Sequence, residues 1–302
     1  MRPNFLVLLA AFNGAKWVEE QVMSILAQES VNVSILISVD SSSDGTESLL
    51  DELCHQDHRI SILPHGMKFG GAAKNFFRLI KESPNIDYDG IAFSDQDDIW
   101  LPRKLIDAFE CMTLNNSDAY SSDVLAFWPD GRTEPVIKSQ HQVVFDYFFE
   151  AAGPGCTYVF ANHLFRKIKT HVSEQFATLD AVSLHDWYLY AYSRAHGYKW
   201  IIDSKANMLY RQHLNNQFGV NAGLPALRRR ISSIYDGWYF KQAAFTARSI
   251  GKQLDPFVIS WINLRRVDMF CLAFKGYKCR RRFREKIMFS CICLGLAVRG
   301  HK

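Results

Sequence analysis

Ile91-Ala92-Phe93-Ser94-Asp95-Gln96-Asp97-Asp98-Ile99-Trp100-Leu101-Pro102 is the stretch from which the fold of this chain can be read. The apolar run after Asp89-Gly90 reads as a buried strand, and Pro102 opens a helical pattern in which Leu105, Ile106, Phe109 and Met112 recur on one face. Asp95, Gln96, Asp97 and Asp98 therefore stand at the carboxyl end of a strand, the edge on which open α/β sheets bind ligands. Carboxylates crowded on one short turn repel each other unless a cation such as Mg²⁺ or Mn²⁺ neutralises them. The alternative is a solvated acidic turn that caps the helix, with Asp97 or Asp98 near the positive end of its dipole. An EF-hand loop is excluded, because neither the turn glycine nor the terminal bidentate glutamate of that motif is present.

Upstream, the same strand-then-helix pattern repeats. Residues 5 to 12 read as a buried strand ending in the turn signal Phe12-Asn13-Gly14, followed by Trp17, Val18, Val22, Ile25 and Leu26 on a helix face. Val33 to Val39 reads as a second strand, with the loop Asp40 to Thr46 and a helix carrying Leu49, Leu50 and Leu53 behind it. Arg59 to Leu63 reads as a third, leading through the Gly66 to Gly71 loop to a helix with Phe76, Phe77 and Ile80. Such alternation predicts a mostly parallel sheet with right-handed crossovers. In these loops Asp40 suits a base or ribose hydroxyl, or simple turn chemistry, and Asp44 suits a helix cap. Lys74, at a glycine-containing loop-to-helix junction, suits a diphosphate or a solvated face.

Downstream the pattern is less regular. Strands are expected at Val124 to Trp128, Cys156 to Phe160, Trp200 to Ile202 and Asn207 to Tyr210, with a loop at Ala151 to Gly155. His185-Asp186-Trp187-Tyr188-Leu189-Tyr190-Ala191-Tyr192 is apolar enough for a buried helix and holds one acid. From Leu224 onward helical patterns with basic faces take over.

With 302 residues, 48% of them hydrophobic, the chain can bury a core without disulfides. Its seven cysteines lack metal-ligand or disulfide-framework spacing, which points to a reducing compartment. The N-terminal apolar run Phe5 to Leu9 is too short for a signal peptide, and no run reaches the ~18 apolar residues of a membrane span, so a cytoplasmic location is expected. The formal charge of +4 is concentrated late, in Arg228-Arg229-Arg230 and from Lys275 through Arg280-Arg281-Arg282, Arg284 and Lys286. Nucleic acid is not the expected partner: the acids on the ligand edge repel phosphates, and no nucleic-acid motif is present. The cations, with Phe283, Ile287 to Phe289 and Ile292 to Val298, suit an anionic membrane surface; the same apolar residues also suit packing onto the main domain.

Taken in order, Ala11-Phe12-Asn13-Gly14, Asp40 to Thr46, Lys74-Asn75-Phe76, Ser94 to Trp100, Gly153-Pro154-Gly155-Cys156, His185-Asp186-Trp187 and Tyr210 to Asn216 resemble the family-two glycosyltransferases of the GT-A fold, in particular bacterial rhamnosyltransferase-like members. In that family the second strand usually ends in two acids and a glycine; Val39 and Ser41 replace the first acid and the glycine here, and Asp40 keeps the second acid.

The resemblance implies an α/β GT-A domain over residues 1–220, with a Rossmann-like nucleotide-binding half and a mixed sheet, and a helical basic C-terminal region over 221–302. It implies an inverting, metal-dependent glycosyltransferase. Asp186 would be the catalytic base, or else a helix cap, and Asp97 and His213 would hold Mg²⁺ or Mn²⁺, His213 being otherwise an ordinary histidine. Asp95 would lie near the ribose, and Ala11, Asn13, Asp40, Lys74, Gln96 and Gly155 would complete the nucleotide-sugar site. The implied donor is rhamnose on deoxythymidine diphosphate, and the implied acceptor a bacterial surface glycan such as lipopolysaccharide O-antigen, or a lipid-linked precursor at the inner face of the membrane. The rival readings are a galactosyl- or glucosyltransferase using a uridine diphosphate donor, and a catalytically silent nucleotide-sugar-binding subunit.

Overall fold

The computed structural model describes residues 2–213 and 237–300. Leu214 to Asn216 of the last motif, Arg228 to Arg230 and the expected boundary at 220/221 lie outside the described residues.

The first four strand-helix units form as the periodicity predicts. Strands β1 (Asn4–Ala11), β2 (Asn32–Val39), β3 (Ile60–Ile62) and β4 (Gly90–Ser94) are separated by helices α1 (Val18–Leu26), α2 (Thr46–Gln56) and α3 (Ala72–Glu82). β1 pairs parallel with both β2 and β4, and β2 with β3, so the carboxyl ends of the central strands share one edge. Side chains along β1 alternate as a strand's must. Phe5, Val7, Leu9 and Ala11 join the core with Val22 of α1 and Leu50 of α2, while Leu6, Leu8 and Ala10 join the core with Phe76 and Ile80 of α3.

Beyond β4 come β5 (Ile99–Trp100), α4 (Lys104–Asn115), β6 (Ala119–Ser122), β7 (Val124–Phe127), β8 (Thr133–Val136), β9 (Val159–Ala161), α5 (Asn162–Gln175), α6 (His185–Ala195), β10 (Trp200–Asp203) and β11 (Met208–Arg211). The larger sheet has the order β10-β6-β9-β4-β1-β2-β3. It is mixed, because β9 runs antiparallel to both β4 and β6. A second sheet, ordered β5-β11-β7-β8, rises beside the acidic turn and brings β11 against it.

Two expectations need correction here, and β5, β6 and β8 are additional to the strands read from the sequence. The strand expected at Cys156 to Phe160 begins only at Val159, because Gly155–Thr157 forms a 3₁₀ turn in which Thr157 Oγ1 donates to the Pro154 carbonyl at 2.7 Å. The helix opened by Pro102 starts at Lys104, two residues on.

After the gap come α7 (Trp238–Ser249), α8 (Arg266–Ala273) and α9 (Phe283–Arg299), with one-turn helices at Pro256–Ile259 and Gly276–Cys279. Their buried side chains Phe240, Trp261, Met269, Phe289 and Leu296 share one continuous apolar core with Phe148, Phe149 and Tyr190. Phe149 lies at ring distances of 5.0 Å from both Trp261 and Phe289. The C-terminal helices therefore form one wall of the fold.

Candidate active site

A cleft of about 970 Å³ opens at the carboxyl ends of the central parallel strands, and it is walled on its far side by the C-terminal helices. Its first rim is the turn after β1. Gln96 pairs with that turn twice: Oε1 accepts from Phe12 N at 2.7 Å and Nε2 donates to the Phe12 carbonyl at 2.8 Å. A side chain at Gly14 would place its Cβ 2.1 Å from Gln96 Oε1, so it would push the Gln96 amide off Phe12. Asn13 tethers the neighbouring loop, its Oδ1 accepting from Ser43 N at 2.9 Å. Asp44 accepts from Ala15 N at 3.0 Å and from Thr46 N at 3.1 Å, so it caps the start of α2 and ties it to the first turn.

Asp40 lines the cleft. It is 4% exposed, and its two oxygens accept from Phe69 N at 2.7 Å and Gly70 N at 2.8 Å. The same carboxylate thereby clamps the glycine loop, whose Lys68 and Gly70 also line the cleft, and each oxygen keeps a second lone pair for a ligand. Lys74 stands apart from the expected site. On the outer side of α3 it pairs with Asp180 Oδ1 at 3.4 Å and lines no part of the cleft. Its neighbour Asn75 turns inward instead, donating to the Ser38 carbonyl at 3.0 Å.

At the centre stands the acidic turn. Burial, then the charges of Asp97 and Asp186, push the Asp95 carboxyl up to about 7. Asp98 is fully buried, and burial followed by Asp97 and Asp95 pushes it well above the usual carboxylate range. Its Oδ1 accepts from Arg211 N at 3.1 Å, whereas its Oδ2 is buried without a hydrogen-bond partner. Ligand atoms of Asp95, Asp98 and Cys156 lie within 4.8 Å of one another. Burial and the two carboxylates hold the Cys156 thiol protonated, so it is no ligand for a hard cation. Asp97 Oδ2 meets His213 Nε2 at 2.7 Å, and the His213 ring is stacked on Trp17 at 4.2 Å. Crowded carboxylate oxygens, one of them orphaned, with an imidazole beside them, form a donor set that fits Mg²⁺ or Mn²⁺.

Across the cleft, α6 delivers His185 and Asp186 on its first turn. Asp186 Oδ1 accepts from Trp187 N at 2.8 Å, so the group that lines the cleft also satisfies a first-turn N–H of its own helix, whose N-cap position is Leu184. Burial pushes its carboxyl up to about 6, against the opposing pull of that N–H and of Lys138. The His185 ring stacks on Phe76 at 4.0 Å, and burial pushes it down to about 3, so the imidazole is neutral at physiological pH. Gly155 fits between these groups and the cleft. A Cβ there would lie 2.7 Å from His185 Nε2 and 3.3 Å from Asp186 Cβ. Gly155→Ala is therefore expected to displace the α6 acid, lowering kcat/KM by about 10- to 100-fold while costing no more than about 3 kcal/mol of stability. Steady-state kinetics beside thermal melting check this, and unchanged kinetics would show that the contact is slack.

The far wall is basic, and its charges are internally organised. Arg281 is 6% exposed; its backbone N–H donates to Glu150 Oε1 at 2.7 Å and its Nη2 to the Ala151 carbonyl at 2.6 Å. Arg280 donates to the Phe149 carbonyl at 2.7 Å and to Glu285 Oε2 at 2.5 Å. Arg282 donates to the Ile137 carbonyl. Lys138 joins them, and burial lowers its pKa first, with Arg282 adding to the effect. The run 280–282 belongs to the segment that suits either an anionic membrane surface or packing onto the main domain; its partners draw these three arginines into the cleft wall opposite the acids.

Of the residues singled out in the sequence, Ala11, Asn13, Asp40, Asp95, Gln96, Asp97, Gly155, Asp186 and His213 line one cleft, and Lys74 does not. Trp17, Lys138 and the arginines were missed as cleft residues. For the arginines the run itself was the signal, but its direction depends on Glu150 and Asp146, more than a hundred residues earlier.

Comparison with known proteins agrees with this architecture. The family model Glycosyl transferase family 2 matches residues 6–167. The dTDP-rhamnosyl transferase RfbG of Shigella flexneri is 42% identical over 280 residues, covering 92% of this chain and 96% of that protein. A shorter likeness, 30% identity over 110 residues, covers 36% of this chain and 41% of the UDP-Glc:alpha-D-GlcNAc-diphosphoundecaprenol beta-1,3-glucosyltransferase WfgD of Escherichia coli. Among solved structures, S. aureus TarS 1-349 in complex with UDP-GlcNAc superimposes with a TM-score of 0.55 over 99% of this chain and 92% of that one, at 13% identity, a likeness of fold.

Proposed function

The chain belongs to glycosyltransferase family 2 and is a nucleotide-sugar glycosyltransferase, and from that premise we propose that it is an inverting, divalent-metal-dependent rhamnosyltransferase. The donor in this reading is dTDP-rhamnose, as the name of the Shigella flexneri relative suggests. The acceptor is a lipid-linked precursor of a bacterial surface glycan, met at the inner face of the membrane. The observation that carries the reading is the juxtaposition of Asp186, buried enough to titrate near 6, with the acidic turn at the carboxyl end of β4.

In the reaction the acceptor hydroxyl attacks the anomeric carbon from the Asp186 side. A new carbon–oxygen bond forms, the bond from the anomeric carbon to the diphosphate oxygen breaks, and the hydroxyl proton passes to the Asp186 carboxylate. General-base assistance of this kind contributes typically ~10²–10⁴-fold. A divalent cation held by Asp97 and His213 would neutralise charge on the departing diphosphate. In this reading Asp95 orients the donor's ribose, Trp17 holds the His213 ring by stacking, and Gly155 leaves room for the sugar beside Asp186. Lys138 faces the same space and favours the charged form of Asp186.

The pH dependence follows with a definite sign. Asp186 must be ionised to accept the proton, so kcat/KM should rise with pH through an apparent pKa of about 6 and level off above it. A flat profile from about pH 5 to about pH 7, one unit either side of that value, would remove Asp186 from the base role.

The proposal is tested by incubating purified protein with a panel of nucleotide sugars, with and without Mn²⁺ or Mg²⁺, and measuring release of the nucleotide diphosphate. Metal-dependent turnover of dTDP-rhamnose is expected. Turnover of a UDP-hexose alone would reassign the donor, and no turnover of any donor would favour a silent binding subunit.

A further inference from the structure

The C-terminal helices carry an apolar face that packs against nothing among the described residues. Along α9 the residues Phe289, Cys293 and Leu296 are buried, whereas Phe283, Ile287, Cys291, Leu294 and Val298 recur at intervals of three and four on the opposite, exposed face. Phe283 is 75% exposed and Val298 82%. Helix α8 does the same: Met269 and Leu272 are buried, while Val267, Phe270 and Phe274 are exposed, the two phenylalanine rings touching edge to face at 5.2 Å. The two helices are packed together, with Arg266 donating to the Arg299 carbonyl and Ser290 Oγ donating to that of Ala273. Tyr277, on the one-turn helix between them, is 59% exposed. Exposed phenylalanines aligned at helical spacing mark an interaction surface.

Charge says what the surface meets. From residue 265 to 300 the chain has ten Lys and Arg against two Asp and Glu. Both acids are neutralised within the fold, Asp268 by Arg265 at 3.0 Å and Glu285 by Arg280 at 2.5 Å. Arg266, Lys275, Lys278, Arg284, Lys286 and Arg299 remain around the apolar stripes without an acidic partner among the described residues. A second copy docked here through a two-fold axis would set this basic rim against itself. No helix among the described residues is long and apolar enough to cross a membrane. Amphipathic helices with cations beside exposed aromatics lie in the plane of an anionic bilayer.

We propose that the exposed stripes of α8 and α9, carrying Phe270, Phe274, Phe283, Ile287 and Val298, dock this protein onto an anionic lipid surface. The stripe is joined to the catalytic cleft by the chain itself, since Arg282 lines the cleft and Phe283, the next residue, begins the docking face. An acceptor sugar anchored in the bilayer through a phosphate-bearing lipid would thus reach the cleft past its arginine wall. This deepens the proposed function by naming the surface that brings enzyme and acceptor together, and it rests on that reading for the acceptor alone.

The test is flotation of the full-length protein with vesicles of phosphatidylethanolamine and phosphatidylglycerol, against vesicles of phosphatidylcholine alone, at low and high salt. The wild type is expected to float with the anionic vesicles and to be released by salt. The double variant Phe270→Glu, Phe274→Glu and the single variant Ile287→Glu, all outside the cleft, should partition about tenfold less or weaker still, with unchanged circular dichroism and unchanged hydrolysis of soluble donor. A wild type that never floats, or variants that float equally well, would overturn the proposal. So would a dimer in analytical ultracentrifugation that the same variants dissociate, because the face would then belong to a second copy. Flotation without hydrolysis of any donor would leave the docking surface standing and remove the catalytic reading.

Discussion

Asp186→Asn is expected to lower kcat by ~10²–10⁴-fold while leaving donor affinity within about a factor of two. The asymmetry follows from where the proton moves. Asp186 takes it only as the acceptor attacks, so the group contributes to the transition state and little to the bound donor. Its surroundings support the role: half-buried at the start of α6, it is held in one direction by Trp187 N at 2.8 Å and is pushed up to about 6 from 3.8. The stability sign runs opposite to activity. A carboxyl whose folded pKa is raised contributes stability fully present below the unfolded value of 3.8 and lost as pH rises through about 6. The asparagine variant escapes that loss and should be more stable than wild type above pH 7 by on the order of 1 kcal/mol. A variant that is inactive and no less stable separates a catalytic acid from a helix cap, whose loss would destabilise. Near-normal turnover in Asp186→Asn would mean that another group is the base.

Asp97→Asn is the second large effect. It is expected to remove the metal-dependent part of donor binding, a loss of about 10- to 100-fold in affinity, with the fold intact. The substitution keeps the side chain's volume and its reach toward His213, which Asp97 meets at 2.7 Å, but removes one negative charge from a turn that holds three carboxyls. Burial and mutual repulsion act on its neighbours: Asp95 is pushed up to about 7 and Asp98 well above the usual carboxylate range. Calorimetry with the nucleotide diphosphate, in Mn²⁺ and in chelator, reads the effect directly. Equal affinities for wild type and variant in Mn²⁺ would take Asp97 out of the metal site.

What the sequence made legible was whatever local periodicity encodes. The alternation of strands and helices through β4 located the ligand edge, and with it Asp95 to Asp98, before any contact was known. Asp186 and His213 came from their order along the chain, since neither has a local signature. Side-chain direction was the part that stayed hidden. Asp40 does line the cleft, but its bonds to Phe69 N and Gly70 N were not legible, and Lys74, read at a loop-to-helix junction beside the cleft, lies on the outer face of its helix beside Asp180. Spacing cannot say which of two adjacent residues, Lys74 or Asn75, turns inward. The run from Arg280 to Arg282 was legible as charge but not as wall, because its partners Glu150 and Asp146 precede it by more than a hundred residues. The bounds and antiparallel direction of β9 were hidden for a related reason: three residues preceded by a 3₁₀ turn have no period to read.

The central claim, a single displacement at the anomeric carbon assisted by Asp186 and a divalent cation, is tested most directly by following the transfer by proton NMR with a competent donor and acceptor. The account predicts one glycoside product whose anomeric configuration is inverted relative to the donor, formed together with the nucleotide diphosphate and abolished both by chelator and by Asp186→Asn. A product of retained configuration, or transfer that continues unchanged in chelator, would contradict it.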